Sequence, residues 1–137
     1  MAVVNELIRS EADGTVSFGD YTLAEKSKKS GFEHSGDVYK VKTFKEITKL
    51  ERNELFVYES VPGTTVGHLK LDNSGVSFSV EGSENAQITL ELEPETEYNV
   101  TINGAAVETV KTNLGGKLVM SVEFDGGKAV DVQVTKK

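Results

Sequence analysis

The side chains with the widest chemical reach in this sequence are two histidines, His34 and His68, four tyrosines, and the alternating glutamates Glu91, Glu93, Glu95 and Glu97. A metal site shared by the histidines needs them side by side with a carboxylate, and neither an HxH nor an HExxH spacing is present to bring this about. The glutamates offer the hard oxygens that calcium takes, but without a DxDxDG loop their alternation reads as one solvated acidic face. Nucleophilic hydrolysis has no motif to rest on, since the chain has no cysteine and no GxSxG. The pairs Gly115-Gly116 and Gly126-Gly127 lack the lysine and helix that follow a phosphate-binding loop, and read as hairpin turns. The expectation is no catalytic residue, no metal and no cofactor.

Carbohydrate recognition remains. Sugar platforms use exposed aromatic faces, and with no tryptophan the task falls to Tyr21, Tyr39 and Tyr58. Tyr39 is the best placed of these, because its neighbours Val38 and Lys40 point to the opposite face. His68 is expected on the wet side of a strand together with Val66 and Lys70, and His34 at a hairpin. The predicted ligand-binding set is thus Tyr39, Tyr58, His34 and His68, which must share one concavity to act together.

The elements that position these residues read as strands. Val76-Phe78-Val80, Ile88-Leu90-Leu92, Tyr98-Val100-Ile102, Leu118-Met120-Val122-Phe124 and Val130-Val132-Val134 each alternate with polar neighbours, the pattern of antiparallel sheets with one buried and one wet face. Turn signals close the runs at Asp72 to Gly75, Gly82 to Asn85, Asn103-Gly104, Asn113 to Gly116 and Asp125 to Gly127. Val107 and Val110 fall on opposite faces of their run, which calls for a bulge or a bent edge strand. The first half is less regular: Asp13-Gly14, Ser35-Gly36 and Val61-Pro62-Gly63 mark three hairpins, and Leu23 to Lys29 and Phe44 to Leu50 read as short helical turns. The expected fold is all-β, an antiparallel β-sandwich with Greek-key features and an immunoglobulin-like look. It has about ten strands and at most one or two short helical turns, in a single domain over 1–137 that is less regular in 1–72 and more regular in 73–137.

Four stretches carry two resemblances. LEPETEY ends one strand at Leu92, turns through Pro94 and starts the next at Tyr98, and over Leu92 to Ile102 it resembles the tyrosine corner of fibronectin type III modules, in which a buried ring bonds upstream backbone through its hydroxyl. ELIRSEADGTVSFGDYTLAEKSK, VKTFKEITKLERNELFVYESVPGT and TNLGGKL are similar to a family of short proteins of anaerobic Gram-positive bacteria sometimes labelled endosialidase. That resemblance implies glycan chemistry and brings no residue roles with it. A sialidase neutralises its substrate carboxylate with three arginines, and this chain has only Arg9 and Arg52. At roughly 40 residues per blade, its length also falls short of a closed propeller.

Composition bounds the remainder. A net charge of -7 over 137 residues repels phosphate backbones and anionic head groups, so neither nucleic acid nor membrane is an expected partner. No apolar run reaches the roughly 18 residues of a membrane helix, and the start carries no signal-peptide core, so the expected location is the cytoplasm; a secreted chain trimmed of its leader would read the same. The functional expectation is a non-catalytic binding or assembly module, a homo-oligomer that covers its strand edges with a second copy. A glycan-binding accessory protein and a small glycan-active hydrolase are the alternatives.

Overall fold

Polar and apolar residues alternate over most of the chain, and the backbone follows that period. The computed structural model describes residues 3–124 and 128–137, which form thirteen strands and no helix. In chain order these are β1 (Ile8–Ser10), β2 (Val16–Phe18), β3 (Ser27–His34), β4 (Asp37–Phe44), β5 (Ile47–Arg52), β6 (Leu55–Val61), β7 (Thr65–Asp72), β8 (Gly75–Glu81), β9 (Ala86–Glu91), β10 (Glu97–Ile102), β11 (Ala105–Lys111), β12 (Lys117–Val122) and β13 (Val130–Lys136). The first sheet has the order β1-β2-β7-β8-β13-β10-β11 and the second β12-β9-β6-β5-β4-β3. All neighbouring strands are antiparallel, and the two sheets pack together as a β-sandwich.

The alternating apolar set is the core. Val76, Phe78 and Val80, Ile88 and Leu90, Tyr98 and Val100, Leu118, Met120 and Val122, and Val130, Val132 and Val134 are all buried. Each aliphatic among them stabilises the fold by about 1.5–3 kcal/mol relative to an exposed position. At the centre, the Tyr58 ring meets Phe18 and Phe78 edge-on, with centroids 5.3 and 5.7 Å away, so one second-sheet tyrosine ties together two strands of the first. Tyr98 is buried, and the Glu93 N–H donates to its hydroxyl oxygen at 3.2 Å.

The first half departs from the sequence expectation in three places. The two helical readings are strands and turns, which also raises the strand count from about ten to thirteen. Phe44 and Ile47 are cross-strand partners around the two-residue turn Lys45-Glu46, so their spacing of three comes from a hairpin. The stretch from Leu55 to Leu71 is no hairpin: β6 and β7 lie in different sheets, and the chain crosses between layers at Pro62 to Thr64. The crossing is pinned to the β4–β5 turn, where the Gly63 N–H donates to the Lys45 carbonyl at 3.0 Å, and Thr64 is fully buried. The β10–β11 ladder shifts register between Val100 and Thr101, which is the irregularity that Val107 and Val110 required. The expected turn at Asp125 to Gly127 lies outside the described residues.

Candidate functional site

Both histidines hold the same turn, from opposite layers. The chain between β1 and β2 turns through Glu11 to Thr15, with Gly14 at φ +87° and Asp13 Oδ1 accepting from the Thr15 N–H at 3.0 Å and from the Thr15 hydroxyl. His34, at the end of β3, reaches it from the second sheet: Nε2 lies 3.0 Å from the Gly14 carbonyl and Nδ1 2.7 Å from Ser10 Oγ. The Gly14 carbonyl can only accept, so Nε2 donates to it, and the Ser10 hydroxyl bonds Nδ1. His68, on β7 of the first sheet, sits 2.9 Å from Asp13 Oδ2 and 3.1 Å from Thr15 Oγ1 through Nδ1. His68 is exposed together with Lys70, as expected for the wet side of β7, but a register shift between Gly67 and Lys70, with His68 at φ +53°, separates it from Val66, which is buried rather than on the same wet face.

The carboxylates around His68 are tuned for holding. The Thr15 hydroxyl and then its amide lower Asp13 to about 2, with a further contribution from His68. The Ser17 hydroxyl lowers Glu11, helped by Arg9, whose Nε lies 3.1 Å from Oε2. Thr15 donates its hydroxyl to Asp13 and shares the His68 Nδ1 with that carboxylate, so Thr15 is not set up as a nucleophile against a free base nitrogen. Among the described residues no three His, Asp or Glu side chains converge on a metal site.

Of the predicted ligand-binding residues, His34 and Tyr39 come together and the others do not. Their rings meet edge to face at 6.2 Å between centroids. Tyr39 lines a hollow of about 410 Å3 with Gly31, Val38, Asn53 and Glu54, and His34 lines an adjoining one of about 290 Å3 that also touches Val38. Asn53 stiffens the rim by accepting from the Val38 N–H and donating to Asp37, both at 2.9 Å. His68 lies on the other sheet. Tyr58 is in the sandwich interior at 0% exposure, with its hydroxyl 2.8 Å from Thr64 Oγ1 and its ionisation pushed far up by burial; its ring offers no face to a ligand.

The acidic rim is occupied by lysines. Glu91 pairs with Lys117, Glu93 with Lys136, and Glu97 with Lys137. Asp72 accepts from the Ser74 hydroxyl and amide, which lower it. A glycosidase acid needs a carboxyl raised by its surroundings, whereas Glu11, Asp13 and Asp72 are all displaced downward. One carboxylate stands apart: Glu81 is 5% exposed, its Oε2 is 3.4 Å from the Tyr21 hydroxyl, and among the described residues its Oε1 has no partner.

Two surfaces escaped the sequence reading. β11 is exposed at every residue but Val110, with Val107 55% exposed, and Leu114 in the loop after it is 80% exposed. On the outer face of the second sheet, Lys28, Lys42 and Lys49 lie in one cross-strand row. A signal for the row was available, because residues 26–52 hold eight Lys/Arg against four Asp/Glu in a chain of net charge -7. No family model matches the chain, and no curated protein or solved structure does so either.

Proposed function

We propose that this protein is a non-catalytic binding and assembly module that pairs with a second copy of itself along β11. The observation that carries this reading is the contrast among the four sheet edges. β1 is three residues long and lies beside β3. β3 is guarded by Lys28 and Lys29 and by an irregular register before Phe32, features that discourage strand addition. β12 has six residues, begins with Lys117 and buries every second side chain. β11 has seven residues, no proline and no lysine before its last position; it too carries a register shift, at Val107, but six of its seven residues are exposed and only Val110 packs against the core.

Register follows from like-charge avoidance. A two-fold pairing centred on Glu108 sets two carboxylates opposite each other, which is unfavourable. Centring on Val107 instead sets Val107 against its own copy, Ala106 against Glu108 and Ala105 against Thr109, with Cβ atoms of opposed residues about 4.5–5.5 Å apart. The natural absence of cysteine makes this directly testable. Val107→Cys cross-links into a covalent dimer under mild oxidation and Thr109→Cys does not, while Val107→Lys yields a monomer by light scattering. A wild-type chain that stays monomeric at high micromolar concentration overturns the proposal.

A second reading, a glycan-binding accessory role, is favoured by the hollow beside Tyr39 and His34. Sugar-induced chemical-shift changes confined to Ser30 to Asp37 and Val38 to Tyr39 support it, and a Tyr39→Ala variant with unchanged glycan response removes it.

A further inference from the structure

The second sheet carries a row of lysines that works against the stability of its own ladder. Lys28 of β3 is the cross-strand partner of Lys42 of β4, and Lys42 is the partner of Lys49 of β5. Three ammonium-bearing side chains therefore follow one another on adjacent strands about 4.8 Å apart. Lys40 lies two residues along β4 on the same face, and these four lysines with Glu51 line one shallow depression of about 90 Å3. Like charges directly opposite each other destabilise a sheet, and a neutral strand-forming residue at any of these outward positions would relieve it. Acids stand opposite the flanks of the row, Glu51 being the cross-strand partner of Lys40 and Glu59 that of Lys49, while Lys42 has a lysine on either side; among the described residues Lys28, Lys40 and Lys42 form no ion pair, and Glu51 lies 3.8 Å from Lys49.

We infer that this face is a binding site for an acidic polysaccharide, a linear chain whose carboxylate or sulfate groups recur along its length. The row offers compact point charges spread across three strands, which suits a series of anions with loose geometry; a single phosphate is better held by arginine forks or converging backbone amides. Glu51 inside the depression accepts hydrogen bonds from sugar hydroxyls and repels closely spaced phosphates. Among the described residues no arginine or aromatic ring lines the depression to stack nucleobases. β11 belongs to the first sheet, so the site is separable from self-pairing.

The test is calorimetric titration of the full chain at low salt with heparin and with polygalacturonate, using dextran as the neutral arm and a single-stranded oligonucleotide as the other polyanion. Binding to either acidic polysaccharide is expected, falling steeply as salt rises, with no dextran response. Lys42→Gln weakens that binding several-fold and lowers the slope of log affinity against log salt by about one. It also keeps or raises the low-salt thermal midpoint, because it removes two like-charge contacts. Lys70→Gln, on the first sheet, leaves binding unchanged. Absence of binding at low salt, a dextran response equal to the acidic ones, tighter binding of the oligonucleotide, or an unaltered Lys42→Gln isotherm each overturns the assignment.

Discussion

Asp13 Oδ2 lies 2.9 Å from His68 Nδ1, so a carboxylate in the β1–β2 turn is tied to β7 while His34 grips the same turn through the Gly14 carbonyl from β3. Asp13 is lowered from 3.8 to about 2, first by the Thr15 hydroxyl. A depressed value in the folded state means that the carboxylate contributes stability in full above 3.8 and loses it as pH falls towards about 2. Glu11 is lowered too, first by Ser17, and acts in the same direction. Urea midpoints measured down the acid limb should therefore fall less steeply for Asp13→Asn than for the wild type. Parallel curves would show that the turn does not depend on this charge.

Tyr58→Phe deletes a hydroxyl that is 2.8 Å from Thr64 Oγ1 in a fully buried setting, while Thr64 keeps Ser60 Oγ at 2.7 Å. The expected loss is about 1–2 kcal/mol by chemical denaturation, since one of the partners retains another bond. Tyr58→Ala removes the ring between Phe18 and Phe78 as well, and should cost about 3–5 kcal/mol.

Gly63→Ala tests the crossing between layers. A Cβ there would stand 2.0 Å from the Phe44 carbonyl oxygen, which is backbone and cannot swing aside. Destabilisation of about 3 kcal/mol or more is expected, with loss of soluble expression as the practical readout. Gly14→Ala meets no atom within 4 Å and is limited to the strain of its φ of +87°, so it should be clearly milder.

Glu81→Gln asks what the unpartnered oxygen is worth. A buried carboxylate with one oxygen unsatisfied opposes folding, and a neutral amide keeps the acceptor facing Tyr21 while avoiding the buried charge. The melting midpoint should stay level or rise by a few degrees. A clear drop in a differential scan would mean that the charge is compensated by a neighbour not identified among its contacts.

How legible this fold is depends on where the period of two survives intact. From Val76 to Val134 the inward set follows directly from alternation, because those strands bury one face and leave the other wet. Around Phe44 and Ile47 a two-residue turn interrupts the period and imitates a helical spacing. At Val61 to Thr64 a proline and glycine mark a turn correctly, but nothing local states that the chain changes layers there. Val66 misleads for a related reason: counting places it on the wet face with His68 and Lys70, and the bulge after Gly67 separates it from them into the core. Tyr58 alternates like a half-wet strand tyrosine, and its burial depends on the aromatic partners that other strands bring to it. The lysine row is a property of register. Lys28, Lys42 and Lys49 are far apart along the chain and become neighbours only once three strands align, although the excess of basic residues over 26–52 was countable in advance.

β13 sits in the middle of the first sheet, between β8 and β10, and comes after both of them in the chain. During vectorial synthesis the half made of β1, β2, β7 and β8 and the half made of β10 and β11 must wait as separate ribbons until Val130–Lys136 has left the ribosomal tunnel. Until then the nascent polypeptide exposes two raw hydrogen-bonding borders, which makes the interval before β13 joins them its most vulnerable moment for aggregation or chaperone capture.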